Sequence, residues 1–442
     1  MALMTGDVSQ SDSPSPVTIR PPQVPLDVEG YPAAPDGLEL EQVHIYIRHG
    51  ERTPVAVRLA DPPASIPPHW IMCKTADDFW RAASSTRLSG QHNVAPRIGV
   101  ERRDGTSVEG ECLLGQLTDL GRKSTLDYGA ALRRLYIDRL GFLSESPAGQ
   151  IYLRSTSMPR TIDSLKQIVH GLCSSANCNQ HLFPPIVLRN GKDENLIGNT
   201  YHCKRLALLQ LEFANASAIA FNPTLEKLDK KLSKYIGGKP VRIDGKPRAS
   251  GILDTIRAAT AHGIKVPPEF EDKSLMEPLE EAIVSEWFGD KTEEVRRLGM
   301  GPLLADLSRK MQSKVDQGAQ DPLKLLIHST HDTTIAALCS TLDVYDEKWP
   351  PFTSSITFEL FKRHPVSQGQ KPFWSSFGST SPADYFVRMR YQNKNMVLPA
   401  CAEQGKHLPG HPEFCTFTTF RARVKELTPS NWEEECSLGS RP

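Results

Sequence analysis

Three short apolar runs along the chain end on polar or charged residues, and each predicts a strand. They are residues 43–47, 151–154 and 323–327. The first is rich in β-branched and aromatic side chains, which is typical of a buried strand, and Gly50 and Pro54 then end regular structure. Two later runs, residues 356–361 and 385–391, alternate in part between apolar and polar positions and predict antiparallel edge strands.

Helical periodicity dominates the middle of the chain, where apolar positions recur at helical spacing. The helices predicted there are residues 206–221, 225–235, 252–261, 278–288 and 302–315. Outside this block, Thr118 is the predicted N-cap of an amphipathic helix, and residues 162–173 form another. Strands and helices therefore predict an α/β protein rather than an all-helical one.

The same patterns divide the chain into three parts. Residues 1–40 are rich in Pro, Ser and Gln at their start and predict a disordered or extended tail. Residues 41–188 and 319–442 predict an α/β core, and residues 189–318 predict a mostly helical cap inserted into that core.

The composition argues against several functional classes of protein. The 442 residues carry 52 Lys and Arg against 52 Asp and Glu, so the basic excess of a nucleic-acid or membrane-surface protein is absent. No run of about 18 apolar residues predicts a membrane span, and the amino terminus lacks the apolar region of a secretory signal. None of the nine cysteines stands in a Cys-x-x-Cys pair, which argues against zinc-ribbon and thioredoxin sites.

The candidate chemistry lies where the first and third strands end. His49 follows the first strand between Arg48 and Arg52, whose guanidinium groups suit a phosphate because they are planar, bidentate and always charged. A neutral imidazole beside them could attack phosphorus. His331 and Asp332 follow the third strand at the start of a predicted helix, where an oxyanion is favoured. The structural alternatives are a solvated strand end for the first group and a simple Asp N-cap for the second.

Three blocks resemble one family. The pattern Arg-His-Gly-x-Arg-x-Pro at residues 48–54 resembles the signature of the histidine acid phosphatases, a branch of the phosphoglycerate-mutase-like superfamily. Residues 154–161, Arg-Ser-Thr-x-x-x-Arg-Thr, are similar to the family's second block, although Ser157 and Pro159 stand where Asp is usual. His331-Asp332 is similar to the third. The resemblance spans residues 43–436 and implies a three-layer core with a mixed, mostly parallel sheet.

The resemblance also implies roles for single residues. His49 would carry the phosphoryl group covalently, and Asp332 would give a proton to the leaving group and later activate water. The phosphate would be held by Arg48, Arg52, Arg154 and His331. A structural ion pair is the alternative role for Arg154. No cofactor or metal is implied, because His328 and His331 end a strand rather than share a helix face, which argues against a zinc pair.

The carboxyl-terminal cysteines resemble those of secreted acid phosphatases. That likeness implies two disulfides, Cys401–Cys415 and Cys203–Cys436. The bridges indicate an oxidising compartment, which conflicts with the missing signal peptide. The sequence therefore leaves the location undecided between the cytoplasm and a lumenal or secreted setting.

The predicted activity is that of an acid phosphatase acting on small phosphate monoesters, with an acidic optimum. Phytase or lysophosphatidic acid phosphatase specificity, a phosphoryl mutase and an inactive protein that binds phosphorylated ligands are the alternatives. Glu51 also occurs in the mutases, but Arg52 and Pro54 speak against that assignment. The expected partner is a small-molecule substrate, without nucleic acid or a membrane span, and a homodimer is left open.

Overall fold

A computed structural model of the chain describes residues 25–75, 99–173, 183–364 and 384–438. Most of the predicted tail lies outside the described residues. The strands are β1 (Leu38–Arg48), β2 (Ile151–Ser155), β3 (Ile186–Val187), β4 (Leu325–Thr330), β5 (Ser355–Arg363), β6 (Tyr385–Tyr391), β7 (Lys394–Met396), β8 (His407–Leu408) and β9 (His411–Thr416).

Ten α-helices lie in the described ranges. They are α1 (Asp119–Arg133), α2 (Pro159–Leu172), α3 (Lys204–Leu232), α4 (Ala249–Ala261), α5 (Lys273–Phe288), α6 (Glu293–Gly299), α7 (Gly301–Gln317), α8 (Asp332–Thr341), α9 (Phe417–Leu427) and α10 (Trp432–Glu435). Thr118 caps α1 as predicted, because its side chain accepts a hydrogen bond from the backbone N–H of Gly121.

The strands form a nine-stranded mixed sheet in the order β3-β2-β4-β1-β5-β6-β9-β8, with β7 paired to β6. The mixed α/β class is confirmed, but the prediction of a mostly parallel sheet is wrong. Three of the strand pairings in the described ranges are parallel and five are antiparallel. β5 and β6 are antiparallel as predicted, but both lie inside the sheet rather than at its edge.

Helices cover both faces of this sheet, so β1 is buried on both sides. Val43, Ile45 and Ile47 point into a cluster with α1 and α2. Tyr46 points the other way, into a cluster with α7, α8 and α9. This double burial explains why the strand reads as one apolar run, and it produces the three layers.

The central helices depart from the prediction in two places. α3 is one helix across residues 204–232, where two were predicted, and it continues through Pro223. Its second half packs with α4 and α5. α7 packs instead on the sheet, through Leu303, Leu307 and Met311. The division at residues 189–318 stays a prediction, and this packing groups α7 with the core.

Three disulfides join pairs of cysteines that both lie in the described ranges. The two implied pairs are present: Cys401–Cys415, with the sulfurs 2.00 Å apart, and Cys203–Cys436, at 2.01 Å. Cys73–Cys112 is a third pair that the sequence did not predict. Within the ranges that the structure describes, no helix combines the length and the hydropathy that crossing a membrane requires.

Candidate functional site

The site lies where two neighbouring parallel strands end together. β1 and β4 pair in register from Val43 with Leu325 to Arg48 with Thr330. The backbone N–H of His49 donates to the carbonyl of Thr330 at 3.0 Å, so the register continues past the last strand pair. The residues that follow each strand therefore meet, and the rings of His49 and His331 lie 5.6 Å apart between centroids.

The imidazole of His49 is oriented by the backbone carbonyl of the next residue. Nδ1 lies 2.8 Å from the carbonyl oxygen of Gly50, which can only accept a hydrogen bond. Nδ1 therefore carries the proton and Nε2 keeps its lone pair. Burial, and then Arg48, Arg160 and Arg52, lower the pKa of His49 well below its ordinary 6.5. The ring is a neutral nucleophile even in mildly acidic solution.

Two of the surrounding guanidinium groups are those expected from the sequence. Arg48 pairs with Asp332 at 2.7 Å, donates to the carbonyl of Pro350 at 2.5 Å and lies 4.1 Å from the centre of the Phe352 ring. Burial lowers the pKa of Arg48 to about 10. Arg52 is 6% exposed and pairs with Asp254 at 2.9 Å.

The third guanidinium belongs to Arg160, which the sequence analysis did not assign. It lies in the first turn of α2, and its charge acts on both His49 and His331. Burial, and then repulsion by Arg52, lower the pKa of Arg160 to about 10. The Nε atoms of Arg48, Arg52 and Arg160 are buried and have no acceptor among the described residues. A bound anion would supply acceptors for them.

The contacts of Arg154 differ from the phosphate-binding role that the sequence resemblance implied. Its Nη2 pairs with Glu194 at 2.7 Å and its Nη1 lies 3.7 Å from Asp306, while the side chain is 2% exposed. The register explains this placement, because Arg154 pairs with His328 and lies two residues short of the strand end that His49 follows. Arg154 therefore has the structural ion pair that was its alternative role.

His331 and Asp332 complete the site at the start of α8. His331, not Asp332, is the N-cap residue. Nε2 of His331 lies 3.0 Å from the hydroxyl of Thr156, and burial, followed by Arg160, lowers the pKa of His331 to about 3. Burial raises the pKa of the Asp332 carboxyl, but Arg48 and Arg52 outweigh it, so the pKa lies below its usual 3.8.

Three further side chains at the site come from two segments that carried no sequence signal. The segment 349–352 places the Trp349 indole on Asp332 at 3.1 Å and the Phe352 ring beside Arg48 and His49. Asp254, from α4, holds Arg52. An aromatic residue between two elements has no motif to mark it, whereas Arg160 stood within the quoted second block.

The arrangement can bind a phosphate and attack it. A neutral imidazole nitrogen with a free lone pair lies among buried cations, and a carboxylate lies beside them. Over the described ranges, no group of three or more His, Cys, Asp and Glu residues is arranged to hold a metal ion.

Several known proteins are similar to this chain in sequence or in fold. The profile described as "Histidine phosphatase superfamily (branch 2)" matches residues 39–392. A probable acid phosphatase of Schizosaccharomyces pombe is 32% identical over 448 residues, covering 91% of this chain and 95% of the relative. Human lysophosphatidic acid phosphatase type 6 is 25% identical over 374 residues, covering 83% and 80%. The apo Hafnia alvei phytase structure superposes with a TM-score of 0.55 at 15% identity, covering 92% of this chain and 100% of that one.

Proposed function

The chain belongs to branch 2 of the histidine phosphatase superfamily, and from that premise we propose that it hydrolyses phosphate monoesters through a phosphohistidine on His49. As a member of this family it is a phosphoric monoester hydrolase. The observation that carries the mechanism is the state of His49: Nδ1 is engaged by Gly50, Nε2 has its lone pair, and burial with three guanidinium groups keeps the ring neutral.

In the first step, Nε2 of His49 attacks phosphorus and the bond to the ester oxygen breaks. Arg48, Arg52 and Arg160 neutralise the phosphoryl oxygens, and His331 is a further neighbour of that position. The leaving oxygen takes a proton from Asp332. In the second step Asp332 accepts a proton from water, the water oxygen attacks phosphorus and the nitrogen–phosphorus bond breaks.

The proton for the first step arrives with the substrate. The described contacts of the Asp332 carboxylate are hydrogen-bond donors and its pKa is lowered, so these neighbours favour its ionised form. A phosphomonoester has a second pKa of about 6 and enters as a monoanion in acidic solution. The bound phosphate can pass that proton to Asp332, which then gives it to the leaving oxygen.

Asp332→Asn tests the proton donor. We expect it to slow glycerol 2-phosphate by about a hundredfold or more, while p-nitrophenyl phosphate, whose leaving group needs little protonation, loses much less. The measurement is kcat/KM for both esters. Asp343→Asn is the control, because Asp343 is the same residue type just past α8 and pairs with Arg296 at 2.6 Å, away from the site. Equal losses on both esters would rule out the donor role.

A specific surface favours an amphiphilic substrate as a second candidate. Val55, Val57, Leu113 and Leu114 are each about half exposed, at 47%, 51%, 58% and 52%. They adjoin the site, because the hydroxyl of Thr53 donates to the carbonyl of Leu113 at 2.7 Å and Val55 N–H donates to Asp254 at 3.1 Å. Such an apolar lip suits the acyl chain of lysophosphatidic acid.

The comparison of three substrates tests this specificity. We expect kcat/KM for lysophosphatidic acid to exceed that for glycerol 3-phosphate, and both to exceed that for inositol hexakisphosphate. The double variant Leu113→Ser, Leu114→Ser should lower kcat/KM for lysophosphatidic acid to the value for glycerol 3-phosphate, and kcat/KM for glycerol 3-phosphate should stay unchanged. A preference for inositol hexakisphosphate would favour phytase specificity instead.

The remaining alternatives have weaker support. Glu51, the residue shared with mutases, turns its carboxylate to the Ser124 hydroxyl at 2.5 Å. His49 and Asp332, whose loss would mark an inactive protein, are both present. The three disulfides are typical of a lumenal or secreted protein, which we propose as the location. A homodimer stays a prediction.

A further inference from the structure

Trp349 lies between α8 and β5, and its indole contacts the carboxylate proposed as the proton donor. Nε1–H donates to Oδ2 of Asp332 at 3.1 Å. Nη2 of Arg48 donates to the same oxygen at 2.7 Å, and the backbone N–H of Thr333 donates to Oδ1 at 2.8 Å. Two donors on one oxygen and one on the other fix the plane of this carboxylate.

Helix α5, in the predicted cap, fixes the position of Trp349. Its backbone N–H donates to Oε1 of Glu280 in α5 at 2.9 Å, and the same Oε1 pairs with Arg257 of α4 at 2.6 Å. Its ring packs against Trp287 and Phe288 at the end of α5, with centroids 5.8 and 5.4 Å away. The indole therefore has little freedom to leave Asp332.

Pro350, the residue after Trp349, contacts Arg48, which is the ion-pair partner of Asp332. The carbonyl of Pro350 accepts a hydrogen bond from Nη1 of Arg48 at 2.5 Å. Trp349 and Pro350 are consecutive residues, and they contact Asp332 and Arg48 respectively. The segment therefore fixes the position of the phosphate-binding arginine relative to the proton donor of the proposed mechanism.

We propose that Trp349 is a positioning residue that holds the Asp332 carboxylate in line with the leaving oxygen of the substrate. The inference rests on the proposed function, because it matters only if Asp332 transfers the proton. Without the indole, Oδ2 would keep Arg48 as its remaining side-chain donor and the carboxylate could rotate about its Cβ–Cγ bond. Proton transfer depends on placement to within a fraction of an ångström.

A neutral donor suits this task better than a charged one. A lysine or arginine in place of Trp349 would also hold the carboxylate, but it would add a cation that competes for the phosphate oxygens. The indole N–H does not titrate, so the contact persists across the whole pH range.

Several charged and titratable groups already surround Asp332. They are Arg48 from β1, His49 and Arg52 from the loop after it, Arg160 from α2, His331 beside it, and Asp254 and Arg257 from α4, which act on Arg48. A substitution of Trp349 by Phe changes none of these charges. The loss of one donor to the carboxylate raises the pKa of Asp332, so the acidic limb of kcat/KM moves to higher pH.

The test is Trp349→Phe, which keeps an aromatic ring against Trp287 and Phe288. We expect kcat/KM for glycerol 2-phosphate to fall about tenfold, the effect of one hydrogen bond to a charged group. p-Nitrophenyl phosphate should keep most of its rate. The acidic limb of the profile should rise by roughly half to one pH unit.

Trp287→Phe is the matched control. It makes the same change in the same aromatic cluster, and its ring is half exposed. We expect it to leave the ratio of the two esters and the acidic limb unchanged. Equal losses on both esters in Trp349→Phe, or an unchanged ratio, would overturn the inference while the wild-type activity stands. If the wild type hydrolyses neither ester, the proposed function fails and the inference with it.

Discussion

Arg48 and Arg154 both stand near the carboxyl ends of parallel strands that flank β4, yet their surroundings differ. Arg48 lies with two other arginines, Arg52 and Arg160, beside a neutral histidine, and these three share the carboxylates of Asp332 and Asp254. Arg154 is buried against two carboxylates, Glu194 and Asp306, whereas the other arginines on Asp306, Arg189 and Arg309, have side chains that are 28% and 71% exposed. An excess of buried cations favours an anion, whereas a neutralised cation holds the fold together.

Register accounts for the difference. Arg154 pairs with His328, which in turn pairs with Tyr46, so Arg154 is level with the middle of the sheet. The two residues that separate this level from Arg48 correspond to roughly 7 Å along a strand. An arginine two residues short of the strand end can therefore have a structural role, whereas an arginine at the strand end can bind the ligand.

Arg160→Ala should have the largest effect on activity. It removes a guanidinium from the proposed phosphate position, and we expect kcat/KM to fall by about a hundredfold to a thousandfold. The free energy of unfolding should stay the same or rise, because burial and repulsion by Arg52 both disfavour the charged guanidinium of Arg160. Steady-state kinetics and denaturant unfolding check both. A variant with wild-type kinetics would contradict the assignment of the third guanidinium.

Arg154→Ala should reverse this pattern. It leaves Glu194 and Asp306 without their buried partner, so we expect the free energy of unfolding to fall by about 3 kcal/mol. The folded fraction should keep kcat/KM within a few-fold of the wild type. A hundredfold loss of activity at unchanged stability would restore the role that the sequence resemblance implied for Arg154.

The pH dependence of kcat/KM should be opposite in sign to that of an enzyme with an ordinary histidine nucleophile. The pKa of His49 is lowered well below 6.5, so its nucleophilic form is complete at pH values where a free histidine is protonated. We expect kcat/KM to decline tenfold per unit above the second pKa of the substrate, about 6, so it should rise as the pH falls through 6.5 and become level below about 6. A decline on the acidic side of 6.5 would show an unshifted nucleophile.

The position of the two histidines at the centre of the site could be predicted from the sequence, because it depends on the order of residues around single strands. His49 and His331 lie within four residues of the end of an apolar run, and neighbouring parallel strands end at one edge of a sheet, so their meeting could be predicted without the loops. Trp349 and Asp254 come from elsewhere in the chain, and their contacts depend on packing that no local pattern records.

The interior position of β5 and β6 was missed for a related reason. Their alternating polar residues suggested an exposed face, but Glu359 and Arg388 form a cross-strand pair at 2.7 Å and are both fully buried. Tyr31 donates a further hydrogen bond to Glu359 at 2.8 Å. Polar alternation predicts an exposed face only when the polar residues do not neutralise each other.

Trapping of the covalent intermediate tests the central claim most directly. A phosphate monoester labelled on phosphorus is mixed with the enzyme, quenched with alkali in which a nitrogen–phosphorus bond survives, and the labelled peptide is sequenced. The account predicts one phosphoryl group on His49, and none in His49→Ala, which should also lose at least about four orders of magnitude in kcat. Turnover without a labelled peptide, or label on any other residue, would contradict it.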